Sequence, residues 1–97
     1  MRRVRKRVLA AYDIRDPKRL RRVHRLMKGY GYALQYSVFV CDLSAMERVR
    51  MVAEVSAVMH LGVDSLVLID LGRVDLSRFQ FVGTREHAPP DGGAVVL

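Results

Sequence analysis

Val8–Asp16 reads V-L-A-A-Y-D-I-R-D. The run is apolar, of strand length, and closes on a carboxylate, Asp13. As a strand over about 8–14 it turns Val8, Ala10, Tyr12 and Ile14 to one face and Leu9, Ala11 and Asp13 to the other. Both faces are largely apolar, so both are expected to be covered. The strand therefore belongs in the middle of the fold. A lone acid at the carboxyl end of a core strand stands where open α/β sheets place functional groups.

Asp16-Pro17 follows at once, an N-cap acid with proline at the first helical position. Leu20, Val23, Met27 and Tyr30, with Leu26 beside them, recur three and four apart and form a buried stripe. Lys18, Arg21, Arg22, Arg25 and Lys28 fall on the flanks and far side. Gly29 and Gly31 stop the helix near Tyr30. A charged helix face is ordinarily just solvated. Here no acid beyond Asp16 interrupts the cations, so they repel one another, and an external anion is the expected partner.

Downstream, Ala33–Leu43 is β-rich with no turn residue before Asp42 and reads as one long strand, bent or broken near Ser37. Ser44 and Glu47 make a capping box. They open a helix running to about His60, with a stripe of Val49, Val52, Val55, Ser56 and Met59. Asp64–Leu71 is nearly all apolar and is predicted to be a strand buried on both faces. A turn leads to a short strand at Arg78–Gly83. The remainder, 84–97, is irregular until an extended Ala94–Leu97. The expected fold is an α/β (α+β) ferredoxin-like sandwich with a four- to five-stranded sheet and two helices on one face. Residues 1–83 form the domain, with 1–7 a basic arm, and 84–97 is a tail for partner docking or strand exchange. Two helices cover one sheet face, so a second copy of the chain is expected on the other, as a homodimer.

The charge is segregated. Residues 1–30 hold twelve Lys/Arg against Asp13 and Asp16, whereas residues 31–97 hold five Arg against eight acids, for a total of +7. Such clustering is the footprint of a polyanion partner, and a surface charged for solubility would mix its signs. The 51% hydrophobic content is that of a globular domain and excludes a disordered basic tail. A single cysteine, Cys41, precludes an intrachain disulfide and points to the cytoplasm. The apolar run behind Met1–Arg7 is too short for a signal peptide, and no stretch is long enough to span a membrane.

Asp13 is the one acid of the basic half on a core strand. It has two readings: a turn acid accepting backbone N–H bonds, or a ligand for Mg²⁺ or Mn²⁺. One carboxylate is too few for a firm site, and a two-fold axis near the strand ends would bring a second copy of it. The ion could then activate water for phosphodiester cleavage. His24, His60 and His87 lack metal-ligand spacing, and His24 is read as structural. No phosphate loop or dinucleotide fingerprint is present.

The ordered set Tyr12–Ile14 (Y-D-I), the basic helix, Tyr30-Gly31, Gln35–Phe39 (Q-Y-S-V-F), Asp64–Leu66 (D-S-L) and Phe79–Gly83 (F-Q-F-V-G) resembles the CRISPR-associated protein two family from about residue 8 to 83. The resemblance implies a ferredoxin-like homodimer, a metal-dependent endoribonuclease or DNase, with Asp13 as catalytic residue and metal ligand. It also implies an architectural role in spacer acquisition, holding duplex DNA between dimers of the CRISPR integrase subunit. Tyr12, Ser37 and Phe39 fall on motif positions near the site. Arg19 and Arg22 match phosphate-contacting arginines, and Lys18, Arg21 and Arg25 complete the nucleic-acid-binding set. Ala33, Leu34 and Val40 depart from the family's pattern and weigh against vigorous cleavage. The alternatives are a stand-alone Mg²⁺-dependent nuclease and an RNA-binding module on the same sandwich.

Overall fold

The computed structural model describes residues 5–73, 75–83 and 95–96. In chain order the elements are β1 (Lys6–Asp13), α1 (Pro17–Met27), β2 (Gly31–Gln35), β3 (Val38–Leu43), α2 (Ala45–Val58), β4 (Ser65–Gly72), a single 3₁₀ turn (Leu76–Arg78), β5 (Gln80–Phe81) and β6 (Val95–Val96). The first four strands form one antiparallel sheet in the order β2-β3-β1-β4. With a helix after β1 and another after β3, this is the ferredoxin-like arrangement, and β1 is central as its composition requires.

Both helices begin as the sequence predicts. Asp16 caps α1 through Oδ2, which accepts from the Arg19 amide at 2.9 Å, with Pro17 following. The Ser44–Glu47 box is complete: the Glu47 amide donates to Ser44 Oγ at 3.2 Å and the Ser44 amide to Glu47 Oε1 at 2.8 Å. Val23 and Met27 of α1 and Met51 and Val55 of α2 pack on Val8, Ala10, Tyr12, Phe39 and Cys41, so both helices cover the same sheet face. The helices are also tied by Tyr30, whose hydroxyl donates to Glu54 at 2.6 Å. Burial first, and then that carboxylate, push the Tyr30 phenol up to about 12.

Four expectations are corrected. The segment read as one strand over 33–43 has its break near Ser37 as expected, but there the chain reverses into a hairpin, turning at Tyr36-Ser37, which supplies the sheet's fourth strand. The segment at 78–83 does not join the sheet; only Gln80–Phe81 is extended, and it pairs in parallel with Val95–Val96. The α2 stripe keeps Val55 and Met59 but is shifted at its start: Met51 is buried while Val49 is 65% exposed. Finally, β4 is an edge strand covered on one face. Leu66 and Leu68 reach the core, whereas Val67 and Ile69 stand about half exposed on the other side. They share that side with Leu9 and Ala11, their register neighbours on β1. The expected tail at 84–97 lies outside the described residues except for Val95–Val96, as do the first four residues of the arm.

Candidate nucleic-acid interface and strand-end carboxylate

The two ends of the sheet differ in charge. At the end where β1 begins, three arginines have a carboxylate each. Arg7 pairs with Asp42 at 2.9 Å, Arg5 with Glu47 at 3.1 Å, and Arg48 with Asp70. Surface pairs of this kind add little stability, but they offset the charge of the arm's two described arginines, Arg5 and Arg7. Two hollows, of about 280 and 310 Å³, also lie toward this end, one lined by Lys6, Leu43 and Arg48, the other by Arg5, Tyr30 and Asp42.

At the other end β1 stops on Asp13, exposed and opposite Ser65 of β4. Among the described residues its carboxylate has no hydrogen-bond or ion-pair partner. The backbone of the Tyr36-Ser37 turn closes over the neighbouring residue, with the Tyr12 amide donating to the Ser37 carbonyl at 3.0 Å. Strand alternation separates the remaining motif residues from Asp13. The Tyr12 side chain points to the helix side, and its hydroxyl donates to the Tyr36 carbonyl at 2.7 Å. Burial raises its phenol well above the ordinary range. Phe39 is wholly buried in the core. His24, 8% exposed, also donates to the Tyr36 carbonyl, through Nδ1 at 2.9 Å, and stacks on the Tyr36 ring at 4.0 Å. Tyr12 and His24 thus hold the hairpin turn beside the strand end, and His24 is structural.

The basic helix runs away from this end. Lys18, Arg21, Arg22, Arg25 and Lys28 are exposed, and none has an ion-pair partner among the described residues. Arg19 is different. Its Nε lies 2.9 Å and its Nη2 3.2 Å from the carboxylate of Asp64, a group whose side chain is fully buried. Asp64 is the polar residue that sequence reasoning passed over. It also accepts from the Arg15 amide at 2.9 Å and the His60 amide at 2.8 Å. The Arg19 bonds, helped by these two amides, hold its carboxyl well below the usual carboxylate range despite burial. The turn-acid role open to Asp13 therefore belongs to Asp64, and the strand-end carboxylate is left facing solvent. The signal available in the sequence was an acid just before a strand, D-S-L.

Among the described residues no three His, Cys, Asp or Glu side chains converge to hold a metal. The donor set of one chain is Asp13 alone. An exposed carboxylate without an internal partner suits a hard cation that keeps most of its waters, as one of two such ligands. No helix among the described residues is long and apolar enough to cross a membrane.

Comparison with known proteins agrees with this architecture. Residues 6–79 match the family described as CRISPR associated protein Cas2. A protein of Thermodesulfovibrio yellowstonii named CRISPR-associated endoribonuclease Cas2 2 is 42% identical over 84 residues, 87% of this chain and 89% of its own length. The crystal structure of Streptococcus pyogenes Cas2 superposes with a TM-score of 0.74 at 32% identity, covering 79% of this chain and 99% of that one. A hypothetical protein from Thermus thermophilus gives 0.69 at 30% identity, over 73% of this chain and 88% of its own. Sequence and fold together thus place the chain in the CRISPR-associated Cas2 family.

Proposed function

We propose that the chain works as a homodimer that binds duplex DNA along α1 and scaffolds the CRISPR integrase during spacer acquisition. The observation that carries this reading is the row of five exposed cations, Lys18, Arg21, Arg22, Arg25 and Lys28, left without carboxylates while the arm's described arginines are paired. Unpaired, like-signed charge on a rigid helix repels itself and is stabilised by phosphates whatever their sequence. The second copy would sit on the sheet face of Leu9, Ala11, Val67 and Ile69, covering apolar surface that the helices leave open.

The same dimer suits a phosphodiesterase. Asp13 and its equivalent in the second copy would hold Mg²⁺ or Mn²⁺, which supplies charge neutralisation at a scissile phosphate and a more acidic water. The chain's own contribution is geometric: β1 fixes the carboxylate at the sheet end, and α1 presents cations to the flanking backbone. The name endoribonuclease carried by the relatives favours this second reading, a stand-alone metal-dependent nuclease on RNA or DNA.

The test is Arg21→Glu, Arg22→Glu and Arg25→Glu together, assayed by duplex binding across a salt series. Each lost phosphate contact should lower the log–log slope by about 0.9, hence by about 2.7 per chain. Affinity should fall equally for unrelated sequences. An unchanged slope would remove α1 as the DNA face.

A further inference from the structure

We infer that Arg19 is not one of the phosphate-binding cations: with Asp64 it forms a positioning pair that fixes the turn after Asp13 against the first turn of the basic helix. This rests on the reading in which Asp13 and α1 act on nucleic acid.

The geometry has three parts. Arg19 lies in the first turn of α1, half-buried, and meets Asp64 through two nitrogens, Nε at 2.9 Å and Nη2 at 3.2 Å. A two-nitrogen grip fixes direction as well as distance, which a lysine cannot do. Asp64 in turn accepts from the amide of Arg15, two residues beyond Asp13. The next residue along, Ser65, is the register partner of Asp13 itself. One buried carboxylate therefore joins the strand that ends on Asp13, the helix that carries the cations, and the loop closing α2. Releasing Arg19 to reach a phosphate would strand a fully buried charge facing the amides of Arg15 and His60, a costly exchange. Arg22, three residues on, is exposed and needs no such release.

Functionally, the pair sets the spacing between the strand-end carboxylate and the phosphate-binding row. That spacing decides which phosphate along a backbone lies opposite Asp13, and neither group can hold it alone. Asp13 is at a strand terminus, and the exposed cations sit on long side chains.

The experiment compares Arg19→Gln, Asp64→Asn and their double variant with Arg22→Gln, using the full chain. Val23→Ala, a core truncation on the same helix, is the control for general destabilisation. Two measurements are made: amide hydrogen exchange at Ile14–Asp16, and the salt slope for a duplex. Arg19→Gln and Asp64→Asn should each speed exchange of the Arg15 amide by about tenfold beyond the global change, with the double variant no faster than either. Val23→Ala should show only the global change. Arg19→Gln should keep the wild-type slope, whereas Arg22→Gln should lose about 0.9 per chain. If Arg19→Gln proves too unstable to purify, Arg19→Lys takes its place, with faster Arg15 exchange and an unchanged slope expected. The inference is overturned if Arg19→Gln flattens the slope as much as Arg22→Gln does, or if Arg15 exchange matches wild type. Absence of duplex binding by the wild-type chain would refute the proposed function instead, and the exchange data would still decide the positioning role.

Discussion

Gly31→Ala is a single-methyl change whose outcome follows from how closely the edge strand β2 approaches β3. Gly31 pairs with Cys41, and a Cβ there would press against the Val40 carbonyl oxygen while standing 2.6 Å from Cys41 Sγ and 3.0 Å from Cys41 Cα. Two of these three neighbours are backbone atoms of β3, which is itself clamped on its other side by β1. Neither can swing away as a side chain would. Overpacking of this sort costs about 1–3 kcal/mol, and the backbone contacts put this case at the upper end. Against it, alanine restricts the unfolded chain and returns roughly 0.4–1 kcal/mol. The net loss is about 2 kcal/mol, and for a domain of this size each kcal/mol moves Tm by about 4–8 °C. Calorimetry should therefore show Tm lower by about 8–16 °C. Adding Cys41→Ala relieves the sulfur contact alone, so the double variant should recover only part of the loss. A Tm within about 2 °C of wild type would refute the close-approach argument.

Three further outcomes follow. Asp64, whose carboxyl is held low chiefly by Arg19, adds stability that is complete above the ordinary carboxylate range near 3.9 and is lost as pH falls below it. Asp64→Asn should be less stable at pH 7 and should show a flatter decline than wild type in acid unfolding below about pH 4; parallel curves would contradict this. Burial, reinforced by Asp42, pushes the Cys41 thiol up to about 12. Iodoacetamide at pH 8 should then modify the native chain at least about a thousandfold more slowly than a free thiol, and labelling at an ordinary rate would contradict the placement. Asp13→Asn should abolish any Mg²⁺-dependent cleavage while leaving duplex affinity equal or slightly higher, since one negative charge near phosphate is gone. Wild-type cleavage by a highly purified variant would place the metal elsewhere.

Much of this was legible from local chemistry. Val8–Asp13 reads as a central strand because nothing polar interrupts it. Asp16-Pro17 and Ser44–Glu47 announce their helices because capping acts within four residues. Other features needed tertiary partners. The Tyr36-Ser37 turn contains no Gly, Pro, Asn or Asp, and it is held instead by Tyr12 and His24 reaching the Tyr36 carbonyl, a contact across twelve and twenty-four residues. Of the α2 stripe, Val55 and Met59 were read correctly, but Val49 was taken for Met51 because apolar residues occur on several faces of this helix and only packing selects among them. Asp64 looked like the start of a strand, since its four bonds come from Arg15, Arg19 and His60. The row on α1 was legible as a cluster. That Arg19 is held internally, whereas Arg22 has no ion-pair partner among the described residues, shows only once Asp64 is in place.

The strand order has a consequence in time as well as space. β1 is made first, yet Val8 meets Cys41 on one flank and Asp70 on the other. At about 5–20 residues per second, roughly 3–12 s separate synthesis of Val8 from that of its last neighbour. Through that interval a central strand of the sheet has an open edge, and only the β2–β3 hairpin can close locally. Completion of the sheet waits on the longest loop closure in the domain, which favours slow folding. A nascent or truncated chain ending before β4 would offer that bare edge of β1 to any extended segment nearby.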